Sequence, residues 1–202
     1  MKRLLVLSIL LSVSFHSFSQ HKSYTEQIRQ YQRAYVDSHE VVKGKDREAL
    51  HFFPVNAKYN VIAGFRRIVD TVGFVMRTSG KIEKKFYRYG TLSFYLDKKR
   101  YLLTLYQSAT LKKGDKYEDY LFLPFTDKTS GDESYGGGRY IDFQLGDIRN
   151  NTLKVDFNKA YNPYCAYTTG YNCPVPPREN DLQVKIKAGE KAFGKDHIEA
   201  TH

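Results

Sequence analysis

Tryptophan is absent from this chain, and cysteine, methionine and proline are scarce, at two, two and six residues among 202. Two cysteines exclude a disulfide-dense scaffold, and six prolines with 14 glycines exclude a collagen-like or low-complexity chain. The six histidines show no metal-ligand spacing and no cofactor motif is present, so neither a metal nor a cofactor is expected. Gly136-Gly137-Gly138 is followed by no Gly-Lys-Ser/Thr, and the next segment reads as a strand. The triplet therefore marks a bulge or a close backbone approach rather than a phosphate cradle. Ser130 lacks a nucleophile elbow, and no histidine between His51 and His197 is there to act as its base. What the chain does have is 17 Tyr and 13 Phe, enough large side chains to fill a core and to exclude disorder. Its length suits one domain.

The first residues combine a basic start, Met1-Lys2-Arg3, with an apolar run from Leu4 to Val13 and small residues at Ser17 and Ser19. This is the pattern of a signal peptide over residues 1–19, with cleavage before Gln20. A membrane span needs ~20 mostly apolar residues, and Ser8, Ser12, Ser14 and His16 interrupt this run. The expectation is an exported protein, periplasmic or extracellular, without a membrane span. Its formal net charge of +10 raises the question of nucleic acid, but export and the absence of any nucleic-acid motif argue against it. The basic runs Lys81 to Lys85, Lys98 to Arg100 and Lys112 to Lys116 carry or adjoin acidic residues, as solvated strand faces and hairpin tips do. Oligomeric state is left open by the sequence.

Ser23-Tyr24-Thr25-Glu26 matches a capping box, and Tyr24, Ile28, Tyr31 and Tyr35 follow at helical spacing. An amphipathic N-terminal helix is expected, its aromatic stripe packed on the domain. From Tyr59 the hydrophobic period changes to two. Val72, Phe74 and Met76 alternate with polar or small neighbours, as do Leu92, Phe94 and Leu96, then Tyr101, Leu103 and Leu105, with turn residues between. Tyr120 to Phe125 is nearly all apolar and reads as a central strand covered on both faces. Later strands are expected at Arg139 to Leu145, Thr152 to Asn158 and Leu182 to Ala188. The fold class is mainly β, an antiparallel barrel or sandwich of about nine strands with the helix laid across it. The domain spans residues 20–193, and residues 194–202 read as a flexible tail.

Two stretches are unusually rich in turn formers and polar groups. The first runs Leu123-Pro124-Phe125-Thr126-Asp127 through Gly136-Gly137-Gly138-Arg139-Tyr140. The second runs Val155-Asp156-Phe157-Asn158-Lys159-Ala160-Tyr161-Asn162-Pro163-Tyr164-Cys165-Ala166-Tyr167, continuing through Cys173-Pro174-Val175-Pro176-Pro177-Arg178-Glu179-Asn180 to Ala188-Gly189-Glu190-Lys191. Together they resemble the signature of domain-of-unknown-function family 1684, a bacterial and archaeal family, from about Tyr24 to Lys191. The resemblance implies a single β-rich domain. The family has no established activity, so it lends no residue a role.

The site must be read from the residues themselves. Arg139 opens an apolar row with Ile141, Phe143 and Leu145, so its guanidinium must be paired or reach solvent. Asp142 lies on the opposite face, and if the strands at Arg139 and Thr152 pair, it shares that face with Asp156, Asn158 and Tyr140. Two readings stay open: a carboxylate such as Asp127 or Glu133 holds Arg139 in a structural network, or Arg139 grips an anionic ligand group. Candidate ligand-binding residues are Arg139, Asp142, Asp156, Asn158, Glu133 and Tyr161. The corresponding function is binding of a small anionic ligand or glycan. The alternatives are a hydrolase with paired carboxylates drawn from Asp127, Glu133, Asp142, Asp156 and Glu190, or a structural envelope interaction module. Export and an even count favour a disulfide between Cys165 and Cys173, with a buried thiol pair as the alternative.

Overall fold

The computed structural model describes residues 22–111, 114 and 116–198; the expected signal peptide lies outside them. The Ser23 hydroxyl accepts the Glu26 amide at 3.2 Å and starts helix α1, Tyr24–Ser38. The buried positions of α1 are Ile28 and Gln32. Gln32 turns inward to give its side-chain amide to the Asn158 carbonyl at 3.3 Å, while Tyr31 of the expected packed stripe is exposed. No helix among the described residues is long and apolar enough to cross a membrane.

Eight strands follow: β1 Asn60–Arg67, β2 Phe74–Met76, β3 Lys84–Leu96, β4 Lys99–Ser108, β5 Tyr120–Asp127, β6 Arg139–Gln144, β7 Thr152–Asp156 and β8 Asp181–Leu182. They form one mainly antiparallel sheet in the order β6-β5-β4-β3-β1-β7, with β2 on β3 and β8 parallel to β5. The sheet curls into a half-barrel, which corrects the expectation of a barrel or sandwich of about nine strands. The end strands β6 and β7 do not pair. Instead α1 crosses the gap between them, where Tyr24 and Ile28 face Ile141 and Phe143 of β6 and Leu153 of β7 across a cleft. Inside the curl, Leu92, Leu103, Leu121, Leu123, Leu153 and Val155 are buried around Phe157, whose ring stands 5.6 Å from that of Phe94 and 5.3 Å from that of Phe125. Burying such a side chain contributes ~1.5 to 3 kcal/mol relative to leaving it in water.

The strand expected from Leu182 to Ala188 shrinks to the two residues of β8. Its later backbone carbonyls, Ile186 and Ala188, accept from the Arg139 guanidinium instead of a neighbouring strand. A side chain has replaced a sheet ladder. β4 and β5 share one registered pair, Tyr106 with Phe122, and beyond it Asn180 fills the space between them. Its side chain accepts the Thr104 amide at 2.7 Å and donates to the carbonyls of Thr104 and Pro124 at 2.8 and 2.7 Å. Pro124 has no amide to offer a ladder, so the insertion costs the sheet little.

After β7 the chain runs through short 3-10 turns at Phe157–Lys159 and Tyr164–Ala166. Cys165 and Cys173 are paired at disulfide distance, with Cα atoms 6.3 Å apart. The first residues of the expected flexible tail, 194–202, are hydrogen-bonded to the domain. Gly194 donates to Ala49, and Ile198 both donates to the Tyr167 carbonyl and accepts the Thr168 hydroxyl. Residues 199–202 lie outside the description.

Candidate functional site

Arg139 does not face a cavity. It is fully buried, and its guanidinium pairs with the equally buried Asp127 carboxylate at 2.7 Å. It also donates to the carbonyls of Ile186 at 2.9 Å, Glu190 at 3.1 Å and Ala188. Burial works against its charge, and Asp127 counters that effect. Asp127 is itself held by the amides of Thr129 and Ile186. Gly138, at φ +88°, makes the approach possible, since a Cβ there would stand 2.7 Å from the Phe125 carbonyl oxygen. The expectation that Arg139 meets a ligand is corrected: desolvated and paired on every side but Nε, it holds the fold together.

Three further candidates are occupied within the fold. Both oxygens of buried Asp156 accept the Tyr24 hydroxyl at 3.0 Å, and one also accepts the Asn158 amide. The fully buried Asn158 side chain accepts the Asn56 amide at 2.9 Å and donates to the Asn56 carbonyl at 2.9 Å. The pair ties α1 and the segment before β1 to the end of β7. Glu133 does not touch Arg139; it pairs with Lys185 and Lys187 at 3.1 and 2.9 Å on the surface and lines none of the main clefts. The face expected to carry Asp142, Asp156, Asn158 and Tyr140 through pairing of their strands does not form, because β6 and β7 end the sheet on opposite sides.

Asp142 and Tyr161 are brought together in the open. Asp142 sits opposite Phe122 in the β5–β6 register, which makes Tyr120 its diagonal neighbour on the same face. The Tyr120 hydroxyl donates to the Asp142 carboxylate at 2.7 Å and the Tyr161 hydroxyl to both of its oxygens at 2.8 Å. Tyr161 is fixed there by an exchange of backbone hydrogen bonds with Tyr140. The carboxylate reaches water, but protein walls surround it; this enclosure pushes its pKa up, against the pull of the two hydroxyls. Three clefts, of about 500, 350 and 680 Å³, meet at Asp142. Among the described residues no Lys, Arg or His is ion-paired with it.

The first cleft is lined by six tyrosines, Tyr31, Tyr35, Tyr140, Tyr161, Tyr164 and Tyr171, together with His39, Glu40, Lys84 and Asn162. His39 accepts the amides of Val41 and Val42 on Nδ1, so its neutral ring carries the proton on Nε2, and burial lowers its pKa to about 4. Neither His39 Nε2 nor Asn162 Oδ1 has a hydrogen-bond partner, and both residues are buried. Behind Tyr35 lies Glu190, fully buried, accepting from the hydroxyls of Tyr35 and Tyr167 at 3.1 and 2.7 Å and from the Asn162 amide at 2.8 Å. Burial raises its carboxyl to about 7. No group of His, Cys, Asp and Glu suited to a metal occurs among the described residues.

A family model described as protein of unknown function (DUF1684) matches residues 45–191. The chain belongs to this DUF1684 family. Among solved structures it is similar to an uncharacterised protein of Haloarcula marismortui studied by NMR in solution. The TM-score is 0.62 and the identity 28%, over 82% of this chain and 92% of the other. No curated protein matches the sequence. In this DUF1684 protein the first cleft is composite: Asp142, Tyr140 and Tyr161 fall within the family match, while Tyr31, Tyr35, His39 and Glu40 precede it.

Sequence reasoning placed Tyr140 with Asp142 but missed Tyr120, His39 and Asn162 as cleft residues, and it read Tyr31 and Tyr35 only as packing. One signal was available. Alternation along Tyr120 to Phe125 puts Tyr120 on the Phe122 face, and a tyrosine at the mouth of an apolar strand often keeps its hydroxyl at a polar edge.

Proposed function

We propose that this chain is an exported small-ligand-binding protein whose tyrosine-lined cleft takes a glycan. The observation that carries the reading is Asp142, held by two tyrosine hydroxyls where three clefts meet and left open to water. Tyrosine rings offer apolar faces to the C–H faces of a sugar while their hydroxyls, with the Asp142 carboxylate, meet its hydroxyl groups. The volume of about 500 Å³ is that of a small-molecule site. The anionic-ligand half of the expectation loses the support of Arg139, which is shut away, while Asp142 stands where the three clefts meet and Lys84, Lys154 and Lys159 lie along their walls. Export is supported by the basic start and apolar run of residues 1–19 and by the paired cysteines.

A panel of neutral oligosaccharides titrated into the isotope-labelled protein tests this. Shifts of amide signals at Tyr140, Asp142, Tyr161 and Tyr164 are the expected result, and a panel that moves none of them would overturn the reading. A hydrolase is the second reading, because Asp142, Asp147 and Asp156 line the same cleft. Release of new reducing ends from the panel, abolished by Asp142→Asn, would replace binding with turnover.

A further inference from the structure

The charge of the cleft narrows the class of sugar. Asp142 is a carboxylate in partly desolvated surroundings, and its partners are two neutral hydroxyls. Glu40, on the same cleft, likewise has a tyrosine hydroxyl, that of Tyr164 at 2.8 Å, and no ion pair among the described residues. The chain has 32 Lys and Arg against 22 Asp and Glu, so cations to neutralise both were plentiful. Lys84 lines the first cleft and Lys154 and Lys159 the second, yet none of them is ion-paired with Asp142 or Glu40 among the described residues. An unpaired carboxylate among aromatic rings is a receptor for a cation, since the ring faces and the carboxylate attract positive charge together.

We propose that the cleft selects an amino sugar whose nitrogen is free and protonated, seated with its ammonium group on Asp142 and its ring against Tyr161. The proposal rests on the glycan reading above and adds to it the charge of the substituent. A sugar with the amine acetylated presents no charge to Asp142 and adds bulk where the carboxylate stands.

Calorimetric titration at about pH 6, where a primary amine is protonated, compares two probes: the glucosamine trimer and the N-acetylglucosamine trimer. The free-amine trimer is expected to bind roughly tenfold or more tightly, with an affinity that weakens as salt is added. In Asp142→Asn this preference should vanish while the acetylated trimer keeps its affinity, showing the cleft intact. Equal binding of the two trimers by the unaltered protein would overturn the charge selection and leave the glycan reading standing. Binding of neither, with the neutral panel also silent, would remove both. A preference retained in Asp142→Asn would overturn the assignment to Asp142.

Discussion

Strand β6 carries two ionised groups three residues apart, and the fold treats them in opposite ways. Arg139 is closed in by Asp127 and three backbone carbonyls and has no route to water. Asp142 has two hydroxyl partners and an open side. A buried charge that lacked partners would cost several kcal/mol, so the chain spends a segment of potential strand to satisfy Arg139. A charge at a cleft mouth carries no such demand, because water serves until a ligand arrives. The fold supplies partners for the first group at every nitrogen but Nε, and it leaves one side of the second to water.

The largest test of this contrast is Arg139→Ala. Removing the guanidinium leaves the Asp127 carboxylate and the carbonyls of Ile186, Ala188 and Glu190 without their donor in a dry interior. A loss of ~3 to 5 kcal/mol is expected in urea unfolding. A variant as stable as the parent would show that the network is not closed.

Glu190 sharpens the same side of the comparison through pH. Its native carboxyl keeps a proton up to about 7, against an ordinary 4.5. The native state therefore binds more protons than the unfolded one between those values, and its contribution is complete below the lower value and lost as pH rises through the upper. The size is roughly 3 kcal/mol. Glu190→Gln keeps an acceptor for Tyr35 and Tyr167 and should flatten this part of the stability profile. An unchanged slope between pH 4.5 and 7 in the variant would contradict it.

Much of the fold was legible because strand alternation is a local signal: β3, β4, β5 and β6 fall where the apolar periods lie. The lost strand after Leu182 was not legible, since its pattern is that of a strand and only the distant guanidinium diverts its carbonyls. Half-barrel closure by α1 likewise depends on which edges meet, and that is a long-range fact. In the site, Asp142 and Tyr161 were named from a polar strand face and a tyrosine-rich loop. Their partner Tyr120 and the whole α1 wall were missed, because no spacing within one segment records a contact such as Tyr120 with Asp142, made 22 residues apart.

The loop bearing Tyr164 and Tyr171 tests how firmly the open side is held. Replacing Cys165 and Cys173 by serine should cost roughly 2.5 kcal/mol by loop entropy. Cys173 lines the cleft, so binding of the oligosaccharide probes should weaken as well. Thiol titration of the unfolded, unreduced protein checks the pairing directly, and two free thiols would reject it.

Asp142→Asn should have the smallest effect on stability and the largest on binding. Asparagine keeps an oxygen to accept from Tyr120 and Tyr161, so unfolding at pH 5 should differ from the parent by less than about 1 kcal/mol. The sign follows from enclosure, which raises the Asp142 pKa. A raised native carboxyl contributes stability that is present below its unfolded value and lost as pH rises through its native one. The parent should therefore lose ground to the variant as pH rises to 8, because the charged carboxylate is ion-paired with no cation among the described residues. A residue kept for the fold shows the reverse, as Arg139 should: its removal is costly. If Asp142→Asn destabilised the protein as Arg139→Ala does, Asp142 would be a second structural charge and the contrast along β6 would be lost.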